Sequence, residues 1–471
     1  MTDPATAKVK SASAPSPVVE LAHWVRGFDQ HPMPAAPLRQ AKLLTLDTIG
    51  CGLAGRNEEV STAVLRTIDG SNAGPCSIIG TTMKVSPTDA VLANGVLIRV
   101  LDLNDYVIGG LSGGMQIGGH PSDNIPVALA FGEMLGRSGR DVLSAIVIGY
   151  EVYGRMREIM GREGCWDGVT ISGLAAPAMA GFLMGLDENR LAHAIALGAA
   201  RAPTSAAVRT GDISGAKSVA NALVAQSGAL AARLAEQGVT GPLSVLDQKR
   251  GLTDVFTQPE FLAGLGSPLA ERCYIMMAHA KGFPCVATGQ SAVAAALKLH
   301  KSVRDKLDGA QRIDVIMADY PFLRRQQEDL HRRHPESREA ADHSFNFVVA
   351  AALIDGEFGL AQFDNERWTD PRVKTLMEKM VMVADAGWNE RAPGSYPCAL
   401  RLIDKDGYAH MAEVAFPPGF SRDGMDEDAV VEKFHRSAAK ALDKAGREKV
   451  IAAVMELDQG GSLSKVFVAL Q

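Results

Sequence analysis

The sequence lacks an excess of basic residues, paired cysteines and any apolar run long enough to cross a bilayer. In 471 residues, 48 Lys and Arg stand against 54 Asp and Glu, a net charge of -6. A broad nucleic-acid surface is therefore not expected, and attraction for an anion must be local. The six cysteines, Cys51, Cys76, Cys165, Cys273, Cys285 and Cys398, are scattered, with no Cys-x-x-Cys pair. That spacing argues against a disulfide framework or a zinc site and fits a reducing cytoplasm. Also missing are a Walker loop, a strand-linked GxGxxG, a GxSxG elbow and an HExxH pair. What remains is acid–base chemistry without metal or cofactor, or no chemistry.

What is present is ordinarily globular, with 46% apolar and 22% charged residues, in a chain long enough for two domains. Residues 1–17 are polar and rich in Pro, Ser and Ala, without the apolar core of a signal peptide. They are expected to form a disordered tail. Residues 18–273 carry apolar residues at three-to-four spacing, as in ENRLAHAIALGAARA from Glu188, and predict a large helical domain. APLRQAKLLTLDTIGCGLAG from Ala36 is expected as an amphipathic helix, and the Ala- and Gly-rich ISGLAAPAMAGFLMGL from Ile171 as a buried one. Residues 274–420 change texture. QRIDVIMADY and KMVMVADAG read as strands, and two further strand-like runs flank Asp406-Gly407, a favoured hairpin turn. Residues 421–471 return to helix and can rejoin the first domain. The fold class expected is mainly α: a large helical bundle with an inserted smaller α+β lid domain.

One stretch asks for a function. LDLNDYVIGGLSGGMQIGGHPSDN, from Leu101 to Asn124, sets two acids and a histidine on either side of six glycines. If the segment before it stays helical, Arg99, Asp102 and Asp105 lie near one face. A salt-bridged helix end is the plain alternative. His120, at a corner before Pro121, is a candidate acid, base or anion donor, or part of an ordinary loop. Lys217 opens a helix, where a cation opposes the dipole unless an anion sits there; the alternative is a solvated lysine. Trp166 and Asp167 lie at a loop-to-helix junction. KGFPCVATGQSA from Lys281 reads as a hinge or a pocket wall. Asp342 and His343 read as caps of the next helix.

In order along the chain come LDTIGCGLAG from Leu46, ANGVLIRVLDLND from Ala93, GHPSDN from Gly119, GYEVYGR from Gly149 and WDGVT from Trp166. Lys217, Asn221, Gly228 and the run Ala231–Ala235 follow, then KGFPCVATGQSA and ADHSF from Ala341. With these motifs the chain resembles the 2-methylcitrate dehydratase (MmgE/PrpD) family from about Leu21 to Asp458. The resemblance implies a homodimer with a pocket between a helical domain and a lid. It implies a cofactor-independent dehydratase or hydratase acting on a small di- or tricarboxylate. Decarboxylation and epimerisation are the neighbouring activities, and a non-catalytic carboxylate-binding paralogue is the alternative of another class. Asp102, His120 and Lys217 would be catalytic. Lys217 and His120 would hold the charge that builds on a carboxylate. Asp102 would orient His120 or act as the base, and Lys217 is a second candidate base. Arg99, Asp105, Tyr106, Ser122, Trp166, Asp167, Thr288 and Gln290 would bind substrate. No metal, nucleic acid or membrane partner is implied. The chain departs from the family pattern at Gly168, where many members have histidine, and between Pro284 and Gln290, where many carry another. Tyr106 stands where the decarboxylase branch has threonine.

Overall fold

The computed structural model describes residues 15–30, 33–68, 73–109, 118–161, 165–256, 259–270, 273–388, 391, 394–420 and 425–471. Most of the expected tail and the glycines at 110, 113 and 114 lie outside them. The molecule is mainly α-helical, as expected. No helix among the described residues is long and apolar enough to cross a membrane.

Eight of its helices make the larger core: Pro17–Arg26, Ala35–Gly55, Pro87–Arg99, Ile125–Met134, Gly139–Met160, Ser172–Met184, Glu188–Arg201 and Ala216–Glu236. Local signals set their ends. Ser138 and Asp141 form a capping box ahead of Gly139–Met160, and Gly185, at φ +69°, ends Ser172–Met184. Ala216–Glu236 packs against Pro87–Arg99, Ser172–Met184 and Glu188–Arg201. Small residues allow this close approach: a Cβ on Gly95 would stand 2.8 Å from the Ala222 Cβ. Ala35–Gly55 is not the amphipathic helix its spacing suggested. It is buried on nearly every side, because Pro87–Arg99, Gly139–Met160 and Glu427–Ala438 all pack on it.

A four-stranded sheet builds the second core. Its order is Met380–Ala384, Arg312–Met317, Cys398–Ile403, Ala409–Val414, with the first pair parallel and the others antiparallel. Gln290–Val303 packs on the last two strands and on Phe345–Asp355. Ile313, Val315, Leu400 and Leu402 of the sheet join Phe345, Val348 and Leu353 in this core; each such side chain contributes about 1.5–3 kcal/mol by leaving water. At the expected Asp406-Gly407 turn only Gly407 takes a positive φ, +85°. The loop is longer than two residues, and Asp404 stabilises it by accepting from Asp406 N and Tyr408 N, 3.0 Å each.

After residue 425 the chain rejoins the first core. Glu427–Ala438 and Lys444–Met455 pack on Ala35–Gly55 and supply Val430, Phe434, Val450 and Val454. The two cores meet near a three-stranded sheet of very short strands: Gly118–Gly119, Tyr106–Ile108 and Ala278–His279.

Candidate active site

The helix Pro87–Arg99 starts at Ser86, whose hydroxyl accepts from Asp89 N, and ends at Arg99. The shared helical face expected for Arg99, Asp102 and Asp105 does not form, because the chain has left the helix. Asp102 has φ +47°, left-handed backbone that aspartate adopts more readily than most residues. This turn brings the Asp102 carboxylate back to Arg99, with Nη1 2.9 Å from Oδ1. The next residues enter the small sheet, where Tyr106 pairs with His279. Lys281 follows two residues on, and its ammonium bonds Asp102 Oδ1.

Lys217 lies in the first turn of Ala216–Glu236 and is fully buried. An anion does stand at this helix end, but it belongs to the protein. Nζ is 3.1 Å from Asp102 Oδ2 and 3.0 and 2.8 Å from the two Asp342 oxygens. The ammonium–Asp102 contact is an ion pair without hydrogen-bond alignment, since Oδ2 has no such partner. His343 donates from Nδ1 to Asp342 Oδ1, and its Nε2 is 3.5 Å from Asp102 Oδ2. Arg338 Nη1 stands 3.7 Å from Asp342. Neither Asp342 nor His343 caps the following helix; Ser344 does so by accepting from Phe347 N.

The charges settle each other. Burial pushes Asp102 toward protonation, but Arg99, Lys217 and Lys281 outweigh it and hold the carboxyl well below the ordinary range. Asp342 is lowered in the same way, by Lys217 and His343 against burial. Burial lowers Lys281 despite Asp102. His343 falls to about 3, because burial and Lys217 outweigh Asp342. Asp102, Asp342 and His343 place three potential metal-ligand atoms within 4.8 Å of one another. Lys217 and Lys281 already neutralise the two carboxylates, so a divalent cation would have to displace them.

His120 is held by the backbone. Its Nδ1 is 2.6 Å from the Asp105 carbonyl oxygen. A carbonyl only accepts, so Nδ1 carries the hydrogen and Nε2 the lone pair. None of the described residues bonds Nε2. Burial, Arg99 and Lys281 hold this imidazole well below 6.5, hence neutral. The Asp105 backbone, not Asp102, orients it. The Asp105 side chain faces away, accepting from Ser122 Oγ at 2.5 Å and Tyr150 OH at 2.6 Å. Burial outweighs those bonds and lifts its pKa to about 7. Asn104 ties this layer to the charges by donating to Ser122 Oγ, 2.9 Å, and Asp123 Oδ1, 2.8 Å, while accepting from Arg99 Nη1.

In front of these groups lies a cavity of about 610 Å³, within the range of small-molecule sites. Arg99, Arg157, Arg209, Arg325 and Arg332 line it against Asp102, Asp123 and Asp167. The wall is thus locally cationic in a chain of net charge -6, the local attraction that an anionic ligand requires. Of the residues expected at a site, Arg99, Asp102, Tyr106, His120, Asp167 and Thr288 face this cavity. Lys217, Asp105 and Ser122 stand behind its wall. Gln290 is also off it: Oε1 accepts from Gly282 N and Phe283 N, both 3.0 Å, and Nε2 donates to Phe283 O, 2.9 Å. It pins the loop that carries Lys281. Trp166 bridges to Ser205 and packs on the helical core. Asp167 caps Val169 N with one oxygen and takes Arg209 Nε at 2.8 Å with the other. Gly168 lines the cavity, and a Cβ there would find only ordinary contacts, the nearest being Tyr153 OH at 3.6 Å.

The sequence motifs pointed to the loop of Lys281 but not to its bond with Asp102, and took Asp342 and His343 for caps. Arg157, Arg209, Arg332, Tyr153, Tyr320 and Phe322 were not anticipated. Only a buried charge far from its partner in sequence could have signalled the first group. A second cavity of about 480 Å³, walled by Trp24, Phe28 and Met33, brings no such cluster together.

Comparison with known proteins covers most of the chain. The chain matches the MmgE/PrpD N-terminal domain over residues 19–263 and the MmgE/PrpD C-terminal domain over 283–458. It is 28% identical to the cis-aconitate decarboxylase of Mus musculus, over 93% of this chain and 90% of the relative. It is 25% identical to the 2-methylcitrate dehydratase of Cupriavidus necator, over 88% and 89%. It is 26% identical to the cis-aconitate decarboxylase-like protein oryM of Aspergillus oryzae, over 96% of both.

Proposed function

The chain belongs to the MmgE/PrpD family, and we propose that it is a lyase that adds or removes water on a small di- or tricarboxylate of the citrate, 2-methylcitrate or aconitate type. The observation that carries the reading is one wall of one cavity: a neutral histidine with a free Nε2, beside five arginines and a buried Arg–Asp–Lys network. Arg157, Arg209 and Arg332 are placed to hold carboxylates, as charge-assisted donors do. His120 Nε2 takes the proton from the carbon next to a carboxylate. That electron pair forms the double bond as the neighbouring C–O bond breaks. The proton held on His120 then passes to the departing hydroxyl, which leaves as water, while the ammonium pair Lys217 and Lys281 stays fixed behind Asp102. Negative charge building on the carboxylate meets fixed cations in a partly dry cavity, where they are worth most. Asp102 keeps the two ammonium groups and Arg99 in place. In this reading no metal or organic cofactor takes part.

The proposal extends to architecture. Residues 274–420, which carry the second core from Phe283 to Phe420, act as a lid inserted before the returning helices of 421–471. Leu223, Leu230 and Leu234, exposed along one stripe of Ala216–Glu236, support a homodimer, which light scattering in solution tests. Decarboxylation is the second reading. The relatives named for it match at 26–28% identity, no further away than the dehydratases at 25–26%.

The test uses purified, chelator-treated protein with citrate, 2-methylcitrate, isocitrate and cis-aconitate. Ultraviolet absorbance follows the conjugated alkene, and NMR identifies the products. Alkene gained or lost with water supports the lyase; release of carbon dioxide selects the second reading. No reaction across the panel, with binding retained in the parent and weakened by Arg209→Ala, would leave a carboxylate-binding paralogue in its place.

A further inference from the structure

The cavity is larger than a citrate-sized ligand needs. At about 610 Å³ it falls in the range that takes drug-sized molecules. Its polar groups are also unevenly spread. Arg157, Arg209 and Asp167 sit on the helical side, joined by the Arg209–Asp167 ion pair at 2.8 Å. Arg332 reaches toward them, with Nη2 3.2 Å from the Arg209 carbonyl oxygen. The other part of the wall is mainly apolar: Tyr106, Val286, Tyr320 and Phe322 line the cavity and pack on the second core, with Arg325, three residues after Phe322 on the helix Pro321–Glu328, as the cation beside them. Three of these are tied together by their rings. Tyr320 stacks on Phe322 at 5.0 Å, and Tyr396 links both to Tyr106, at 5.7, 5.3 and 6.4 Å.

The base stands where the two surfaces meet. The His120 ring lies edge-on to Tyr106 at 5.1 Å, while its Nδ1 is fixed by the Asp105 carbonyl. A carbon within reach of Nε2 is therefore flanked by cations on one side and by aromatic surface on the other. A compact tricarboxylate would fill the cationic side and leave the aromatic side against water. Apolar surface of that kind gains nothing from a small polar acid, but about 0.8 kcal/mol for each methylene it covers.

Resting on the lyase reading above, we propose that the substrate is a citrate-type acid carrying an apolar arm of several carbons, with its carboxylates on the arginines and its arm against Tyr106, Val286, Tyr320 and Phe322. The arm selects substrate; the reaction at the carbon beside His120 is unchanged.

A chain-length series tests this. The unaltered protein is given citrate, 2-methylcitrate, 2-butylcitrate and 2-hexylcitrate, with turnover followed by alkene absorbance and binding by calorimetry. The expected result is a rise in kcat/KM of about fourfold for each methylene covered, until the aromatic surface is full. Val286→Trp, which occupies that surface, should cut the ratio of hexyl to methyl kcat/KM by about tenfold. If citrate or 2-methylcitrate is turned over best and longer arms lower kcat/KM, the arm is refuted and the lyase reading stands. If nothing in the series is turned over, the lyase reading falls, and calorimetry still decides the arm: affinity must rise with chain length, and flat or falling affinity refutes it.

Discussion

Lys217→Met keeps the length and apolar stem of the side chain and deletes one charge from between two buried carboxylates. Asp102 still has Arg99 and Lys281. Asp342 is left with His343, which is neutral, and with Arg338 at 3.7 Å. Removing one partner of a buried ion pair costs about 3–5 kcal/mol. Because Asp342 retains its bond from His343, the lower end applies, about 3 kcal/mol at neutral pH. The pH dependence is the sharper test. In the parent, Asp342 is held below its ordinary 3.8. Its contribution is complete above that value and is lost only as pH falls through the lower folded value. In the variant burial dominates and the carboxyl rises above 3.8. Its penalty is then complete above the raised value and shrinks as pH falls through it. The stability deficit of the variant should therefore narrow on acidification from neutral pH to about 5. Urea unfolding of parent and variant at several pH values measures this difference. Adding Asp342→Asn should recover a large part of the loss, because no charge then remains unpaired. A neutral-pH deficit below about 1 kcal/mol, the range of exposed pairs, would refute the reasoning, as would a deficit that widens on acidification.

Three other substitutions probe the site. His120→Ala should lower kcat by about 10²–10⁴-fold with the circular dichroism spectrum unchanged, and a variant of near-parental rate would remove His120 as the base. Arg209→Ala should raise KM for every carboxylate substrate by about tenfold or more, the loss of one hydrogen bond to a charged group; an unchanged KM would take Arg209 off the substrate. Asp105→Asn tests the raised carboxyl behind His120. With a folded pKa of about 7 above an ordinary 3.8, this group costs the parent stability as pH rises between the two values. The variant should gain on the parent by about 1.4 kcal/mol per pH unit across that window and hold its gain above pH about 7. Paired urea unfolding reads the slope, and parallel curves would show that Asp105 does not titrate there.

The helices and the sheet were legible because their signals are local. Apolar spacing, the Ser138–Asp141 box and the strand-like runs at Arg312 and Met380 each act within a few residues. Ala35–Gly55 shows where that logic stops. Its charged and polar positions suggested an outer face, but Lys42 finds Asp458 and Asp47 finds Lys433, both partners hundreds of residues away. The site divides in the same manner. His120 and Asp102 stood out because an acid and a histidine around a glycine-rich loop are unusual by themselves. Asp342 and His343 did not, since an aspartate before a helix is usually a cap, and only the fold shows Ser344 taking that task and freeing Asp342 for Lys217.

That exchange also explains how the requirement set by the position of Lys217 is met. A lysine in a helix's first turn needs negative charge nearby to offset the dipole, and the first turns of this helix hold no carboxylate, while Asp212, five residues ahead of Lys217, stands exposed in the preceding loop. A ligand was the natural candidate. The fold instead brings Asp342 across 125 residues and Asp102 across 115, so the ammonium is satisfied before any substrate arrives. The consequence for chemistry is direct. A cation already paired with two carboxylates is fixed in position, and fixed charges need no rearrangement when charge develops in the cavity. The ligand must then be held by cations that are not locked in this way. Arg209, whose only described carboxylate is Asp167 at the cavity wall, and Arg332, whose buried Nε has no partner among the described residues, fit that need better than Lys217 does.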